Sequence, residues 1–113
     1  MRVGTFAEPT VRAKLGEARA LTEAARLLAY RVIDERSKGR PPSAETNVAR
    51  VMNTLVDRTV GELALEIYGA ESIESGSFPN ANFKLSMTAG VAVGATEIHL
   101  NLIASRILGL PRS

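Results

Sequence analysis

The stretch GATEIHLNLIASRILGLPR, at residues 94–112, constrains the fold of this chain most. Thr96 can cap a helix by accepting a hydrogen bond from a free backbone N–H, and Glu97 places negative charge in the first turn. Gly109 and the proline two residues later stand where such residues end a helix. The pattern therefore predicts a helix over 96–108.

The apolar side of this predicted helix is too wide for a surface helix. Between Ser77 and Ser105 the only formal charges are Lys84 and Glu97. A helix that is apolar over most of its circumference is buried from several sides. We therefore expect other helices of the chain or a partner protein to cover it. Its apolar positions are Ile98, Leu100, Leu102, Ile103, Ala104, Ile107 and Leu110.

Two long amphipathic helices precede this stretch. Apolar residues recur every three or four positions over 8–38 and again over 43–68, with charged residues between them. Gly39 can adopt a positive φ, and the Pro-Pro pair at 41–42 forces a turn. Ser43 is the predicted N-cap of the second helix. Because the turn is short, the two helices should lie antiparallel as a helical hairpin.

The segment 69–82 is rich in Gly, Ser, Asn and Pro, and we predict one long loop there. A third helix is predicted over 83–93. The alternative is a short strand at 91–93, which has no second strand to pair with. A chain of 113 residues with 45% hydrophobic content can bury one modest core. We predict a single all-α domain over 1–113, an antiparallel up-and-down bundle of about four helices.

The composition excludes several classes of function. There is no cysteine and only one histidine, so we expect no disulfide, no thiolate nucleophile and no metal site. Residues 1–40 hold nine Lys/Arg and five Asp/Glu. Since the two signs alternate, a solvated face is favoured over a nucleic-acid site. No apolar run is long enough to span a bilayer and no signal peptide is evident, so we expect a cytoplasmic protein without a membrane partner.

Residues 94–112 resemble the C-terminal signature of acyl-CoA dehydrogenases, G-T-S-E-I-Q-R-N followed by I-I-A-x-R-x-L-G-L-P-R. Residues 17–39 resemble the first long helix of the family's C-terminal half, and residues 43–69 resemble the second. The resemblance implies an oxidoreductase of fatty acid or lipid metabolism that uses FAD and an acyl-CoA substrate. The family's N-terminal and middle domains, which hold most of the flavin and acyl-CoA, have no counterpart in these residues.

The resemblance implies a first cofactor-binding turn after the second long helix. In the family this turn reads Q-x-x-G-G-x-G and approaches the flavin. Glu66 stands at the glutamine position, Gly69 keeps the first glycine, and Ala70 replaces the second. Ser72 replaces the third glycine. A carboxylate and a β-carbon therefore stand where a phosphate-bearing ligand would approach a turn.

A second turn, at the start of the last helix, is implied to face the flavin and the substrate. Gly94 keeps the family's glycine and is implied to bind the substrate, and Glu97 is kept and is implied to bind the cofactor. Ala95 replaces a threonine and Thr96 fits the small hydroxyl position, and both are also implied to bind the cofactor. Many members carry a glutamate base immediately before the glycine. Here that residue is Val93, which has no lone pair to accept a proton, so we predict no catalytic residue in this chain.

Other polar residues favour structural roles. His99 is more typical of a core or interface histidine than of a ligand or base. Glu62 and Glu66 are four residues apart and mimic a paired-carboxylate site, but an exposed helix face explains them more simply. Lys84 is interpreted as a surface lysine, and Arg106 as a residue that faces the negative end of the helix dipole.

Two functions compete at this point. The resemblance implies the C-terminal domain of an acyl-CoA dehydrogenase-like flavoprotein, which forms the subunit interface and one wall of the FAD site. The implied partners are acyl-CoA dehydrogenase-like subunits of a homo- or hetero-oligomer, and the departures at Glu66, Ala70, Val93 and Ala95 further suggest a degenerate subunit of a hetero-oligomer. The isolated chain is then expected to be inactive and without FAD. The alternative is a non-enzymatic helical oligomerisation module, which explains the charge-poor region 77–105 equally well.

Overall fold

A computed structural model of the protein describes residues 5–91 and 94–111. All regular structure in these two ranges is helical, which confirms the all-α fold class. The described residues form four α-helices, α1 to α4 in chain order, and two short 3-10 helices. The α-helices are Pro9–Ser37, Glu45–Tyr68, Phe78–Thr88 and Thr96–Arg106, and the 3-10 helices are Thr5–Ala7 and Gly69–Ile73.

Helices α1 and α2 form the antiparallel hairpin that their short turn predicts. Lys14 near the start of α1 pairs with Glu66 near the end of α2, with Nζ and Oε2 2.6 Å apart. Arg31 near the end of α1 pairs with Glu45 at the start of α2, with Nη2 and Oε1 2.7 Å apart. Each ion pair joins the start of one helix to the end of the other, which shows that the two helices run in opposite directions.

The core lies between α1 and α2. It is a cluster of buried apolar side chains against which Leu15 and Tyr68 pack. Small residues on the inner face of α1 let α1 and α2 approach closely, so the larger side chains have less space between the helices to fill. The cluster consists of Val11, Ala18, Leu63 and Ile67.

Helix α2 is the centre of the architecture. Among the described residues, the extensive helix–helix contacts are those that α2 makes with α1, α3 and α4. Helix α3 comes so close that a β-carbon at Gly61 of α2 would lie 2.5 Å from Ser86 Oγ. Each of the other three helices is therefore positioned by α2, and α2 sets the distances between them.

The third helix lies earlier in the chain than predicted, and the predicted loop over 69–82 is wrong. Residues Gly69–Ile73 form a 3-10 helix, and α3 begins at Phe78 rather than at position 83. The Ser77 side chain accepts a hydrogen bond from the Asn80 N–H, and Pro79 occupies the first turn. Serine and proline are typical of turns, but they also start helices.

Smaller differences concern helix ends. Helix α2 begins at Glu45 and its N-cap is Ala44, although the Glu45 N–H still donates to Ser43 Oγ at 3.3 Å. Helix α4 ends at Arg106, two residues before the predicted end. The predicted stop signal is present all the same, because Gly109 has a φ of 67°.

Helix α4 is covered far less than its composition predicts. None of its residues is fully buried. Ile98 and Leu100 of the helix, and Ile107 and Leu110 just after it, are all about half exposed. The other helices of the chain therefore leave much of its apolar surface uncovered. Within 5–91 and 94–111, no helix combines the length and hydropathy that crossing a bilayer requires.

The turn after α1 yields a pH prediction. Arg40 forms a side-chain hydrogen bond to Glu35, with Nη2 and Oε1 2.6 Å apart, and this bond lowers the pKa of Glu35. A carboxyl whose folded pKa is lowered contributes stability above its unfolded pKa, and loses that contribution as the pH falls through the folded pKa. Arg40→Gln should therefore raise the pKa of Glu35 toward its ordinary value in a carboxyl NMR titration. Arg36→Gln, at the same helix end, should leave it unchanged.

Candidate functional site

The first predicted turn lies at the end of α2. Gly69 has a φ of 57° and its N–H donates to Leu65 O, which ends the helix. Ser72 is buried, and Asn80 Nδ2 of α3 donates to Ser72 O at 3.0 Å. Ala70 is exposed. Helix α3 therefore holds this turn in place, and the predicted binding role of Gly69 and Ala70 stays a prediction.

Glu66 faces the cleft between α1 and α2. This open cleft has a volume of about 270 Å³, and Lys14, Glu62 and Leu63 also line it. The ion pair with Lys14 compensates the Glu66 carboxylate, and both side chains remain about half exposed. Glu62 and Glu66 thus share one solvent-facing cleft beside a lysine, an arrangement typical of a charged helix surface.

The second predicted turn lies between α3 and α4. Gly94 has a φ of 101°, a value that glycine adopts far more readily than other residues. The prediction that Thr96 caps the helix is wrong, since the N-cap is Ala95 and no side chain caps this end. Thr96 is the first helical residue, and its N–H donates instead to Gly90 O at 3.0 Å. Glu97 is exposed in the first turn of α4.

The structure does not bring the two turns together. The second turn lies near Thr54, because its Thr96 N–H donates to Gly90 O and a β-carbon at Gly90 would lie 2.8 Å from Thr54 Cγ2. The first turn follows the last residue of α2, fifteen residues beyond Thr54 (54 to 69). At about 1.5 Å of rise per residue, this places the turns about 22 Å apart along α2. Within one copy of the chain, the two turns therefore lie at different places along α2.

The second turn rests on a polar pair that periodicity did not reveal. His99 Nδ1 lies 2.9 Å from Asn47 Oδ1, and Asn47 is only 9% exposed. His99 Nε2 is buried and has no hydrogen-bond partner among the described residues. Asn47 was missed because hydrophobic periodicity identifies only the apolar residues of a core. The single histidine was the one available signal.

The remaining candidates carry no catalytic cluster. Val93 lies outside the described residues. Lys84 and Arg106 are exposed, and Arg106 lies in the last turn of α4 as predicted. Residues 5–91 and 94–111 contain no group of three His, Cys, Asp or Glu that could hold a metal ion. Shifted pKa values are found in surface pairs of α1 and of the turn after it, at Glu23, Arg26, Glu35, Lys38 and Arg40.

Comparison with known proteins gives a family match over most of the chain. A family model described as "Acyl-CoA dehydrogenase, C-terminal domain" matches residues 4–108. The chain is 29% identical over 115 residues to "Acyl-CoA dehydrogenase IpdE1" of Mycolicibacterium smegmatis. The alignment covers 98% of this chain and 28% of that protein. No solved structure gives a significant match.

Proposed function

The chain belongs to the acyl-CoA dehydrogenase family, as its C-terminal domain, and on this premise we propose that it forms a subunit interface and one wall of an FAD site. The observation that carries the proposal is the half-exposed apolar surface of α4, which needs another polypeptide to cover it. The chain spans 28% of the length of its curated relative. The complete activity on acyl-CoA therefore requires residues beyond this chain.

The residues of the second turn fit a flavin better than those of the first. The second turn keeps Gly94 and Glu97 of the family pattern, although its Thr96 N–H already donates to Gly90 O and the Ile98 N–H to Ala95 O. At the first turn, Glu66 replaces the family's glutamine, and its carboxylate is already paired with Lys14. We assign Gly94 to the substrate side, and Ala95, Thr96 and Glu97 to the cofactor side. When bound, FAD would supply the hydride acceptor for the oxidation of acyl-CoA.

The separation of the two turns supports an assembly of several subunits. Because they lie about 22 Å apart along α2, one copy presents them to different places. We propose that the turn at Glu66, Gly69 and Ala70 faces the flavin of a neighbouring subunit. The departures at Glu66, Ala70, Val93 and Ala95 favour a hetero-oligomer, in which a partner subunit supplies the catalytic base and the tighter flavin contacts.

Reconstitution tests this function. The chain alone is expected to lack the visible absorbance of oxidised flavin and to leave acyl-CoA unchanged, because it provides only one wall of the site. The full-length protein, mixed with acyl-CoA dehydrogenase-like partner subunits, should gain both the flavin spectrum and acyl-CoA oxidation. Full activity of the full-length protein without a partner would refute the degenerate-subunit proposal.

A surface substitution tests the interface. Ile107 is 49% exposed, so Ile107→Asp should leave the melting temperature of the isolated chain nearly unchanged. In the mixture with partner subunits, the same change should reduce the assembled fraction in light scattering, because it buries a charge at the contact. Ile107→Val keeps the apolar surface and serves as the control. Equal assembly of the two variants would place the interface elsewhere.

The same exposed apolar residues support a second candidate function, a helical oligomerisation module without a redox role. The two functions differ in whether association requires flavin and acyl-CoA dehydrogenase-like subunits. A module should self-associate without flavin and without any acyl-CoA dehydrogenase-like subunit. A strictly monomeric and well-folded chain in light scattering, with or without such subunits, would contradict both functions.

A further inference from the structure

We propose that His99 is a positioning residue, which holds the Gly94–Glu97 turn against α2 through a hydrogen bond to Asn47. The inference rests on the proposed function, in which this turn borders the flavin and the substrate. His99 lies in the first turns of α4, and Asn47 lies at the start of α2, 52 residues away in sequence. The pair therefore ties the last helix to the central one.

The chemistry of the pair selects one tautomer of the imidazole. The Asn47 side-chain oxygen can only accept, so in the assigned amide orientation His99 Nδ1 carries the proton and donates it. Nε2 is then left as an acceptor. An apolar side chain would fill the same space without leaving a buried polar atom unpaired, and this favours a role for the imidazole beyond packing.

The imidazole lies directly beneath the turn. A β-carbon at Gly94 would lie 3.2 Å from His99 Nε2, closer than ordinary van der Waals contact. The positive φ of Gly94 and the ring beneath it therefore restrict this position to glycine. Because the turn packs on the imidazole ring, the orientation of the ring sets the distance between Gly94 and α4.

A second anchor fixes the other end of the same loop. Gly90 packs on Thr54 of α2, and Gly90 O accepts the Thr96 N–H. Asn47 and Thr54 are seven residues apart, about two helical turns, so they share one face of α2. That face holds both ends of the loop between α3 and α4. A ligand at the second turn thus meets a backbone whose position is set by the central helix.

The tautomer of His99 tests the proposal on the chain as it is. In ¹⁵N NMR of the labelled 113-residue protein, the expected signal is a protonated Nδ1 and an unprotonated Nε2. Asn47→Asp keeps an oxygen acceptor and should retain this signal. Asn47→Leu should abolish the preference and shift the amide resonances of Thr96 and Glu97, while those of Ile67 in the core stay in place. A protonated Nε2 in the wild type, or turn amides indifferent to Asn47→Leu, would overturn the inference.

An activity measurement separates this inference from the proposed function. In an active assembly with partner subunits, Asn47→Leu should lower kcat/KM for acyl-CoA by at least about tenfold, since small misplacements of reacting groups cost rate. Asn47→Asp should restore most of the loss. Equal rates for wild type and Asn47→Leu would refute the positioning role. An inactive wild-type assembly together with the expected NMR result would refute the proposed function and leave the contact itself established.

Discussion

Ile67→Asp is expected to unfold most of the chain. Ile67 is 7% exposed and packs in the core cluster with Val11, Ala18 and Leu63. An unpaired carboxylate at such a site costs about 3–5 kcal/mol, in addition to the lost apolar burial. Ile67 also lies in the last turn of α2, where the helix dipole disfavours negative charge. Since domains of this size are stable by only about 5–15 kcal/mol, little stability should remain.

A matched control isolates burial as the cause. Ile33 also lies near the C-terminus of a long helix, α1, but it is 61% exposed. Ile33→Asp makes the same chemical change and should cost less than about 1 kcal/mol. Thermal and urea unfolding, followed by circular dichroism, measure both variants. Similar melting temperatures for Ile67→Asp and Ile33→Asp would mean that the core between α1 and α2 is not the one described.

The two long helices were predictable because each buries one side along its whole length. The predicted range 8–38 corresponds to Pro9–Ser37, and the predicted range 43–68 corresponds to Glu45–Tyr68. Over more than six helical turns, the repeated apolar spacing outweighs any single capping residue. The ends shift by one or two residues because capping depends on the local backbone, which the repeat does not determine.

The start of α3 was predicted wrongly because residues of the types found there are common both in the first turn of a helix and in loops. Ser77, Pro79 and Asn80 form a capped first turn, but the same residue types are common in loops. The choice between the two depends on packing against α2, where Gly61 admits Ser86 at close range. A contact between residues 25 positions apart (61 to 86) leaves no periodic trace in the sequence.

The candidate site was predictable in its parts and not in its arrangement. The family resemblance locates Glu66, Gly69, Gly94 and Glu97 in turns. Their separation depends on the length of α2 and on where α4 docks along it. The hydrogen bond between buried Asn47 and partly buried His99 holds that docking point, and a polar pair has no hydrophobic signal.

The apolar circumference of α4 predicted more cover than one copy of the chain supplies. Its contacts within the chain are made mainly with α2, and its outer face stays exposed. The wide apolar face is consistent with burial by several neighbours, of which this chain provides one. The apolar residues of a helix reflect its burial in the assembled protein and not only in one chain. The proposed subunit interface therefore accounts for the difference between the expected and the observed burial of α4.

Gly61→Ala is expected to destabilise the protein by about 1–3 kcal/mol, although alanine is the better helix former. The new methyl group would lie 2.5 Å from Ser86 Oγ and 2.9 Å from Ser86 Cβ. Ser86 cannot easily move aside, because it is 5% exposed and its hydroxyl donates to Phe83 O at 2.7 Å. Helix α3 must therefore move away from α2, and the whole contact between them loosens.

Gly16→Ala is the matched control, since Gly16 also lies within a long helix but has nothing within 4 Å of its β-position. It should stabilise the chain by about 0.5–1 kcal/mol through helix propensity alone. Adding Ser86→Gly to Gly61→Ala removes the overlapping atoms. The double variant should therefore be more stable than the two single changes predict by addition, by about 1 kcal/mol or more. Should Gly61→Ala raise the melting temperature as Gly16→Ala does, α3 would not pack against α2 at this point, and the docking of the last two helices would have to be redrawn.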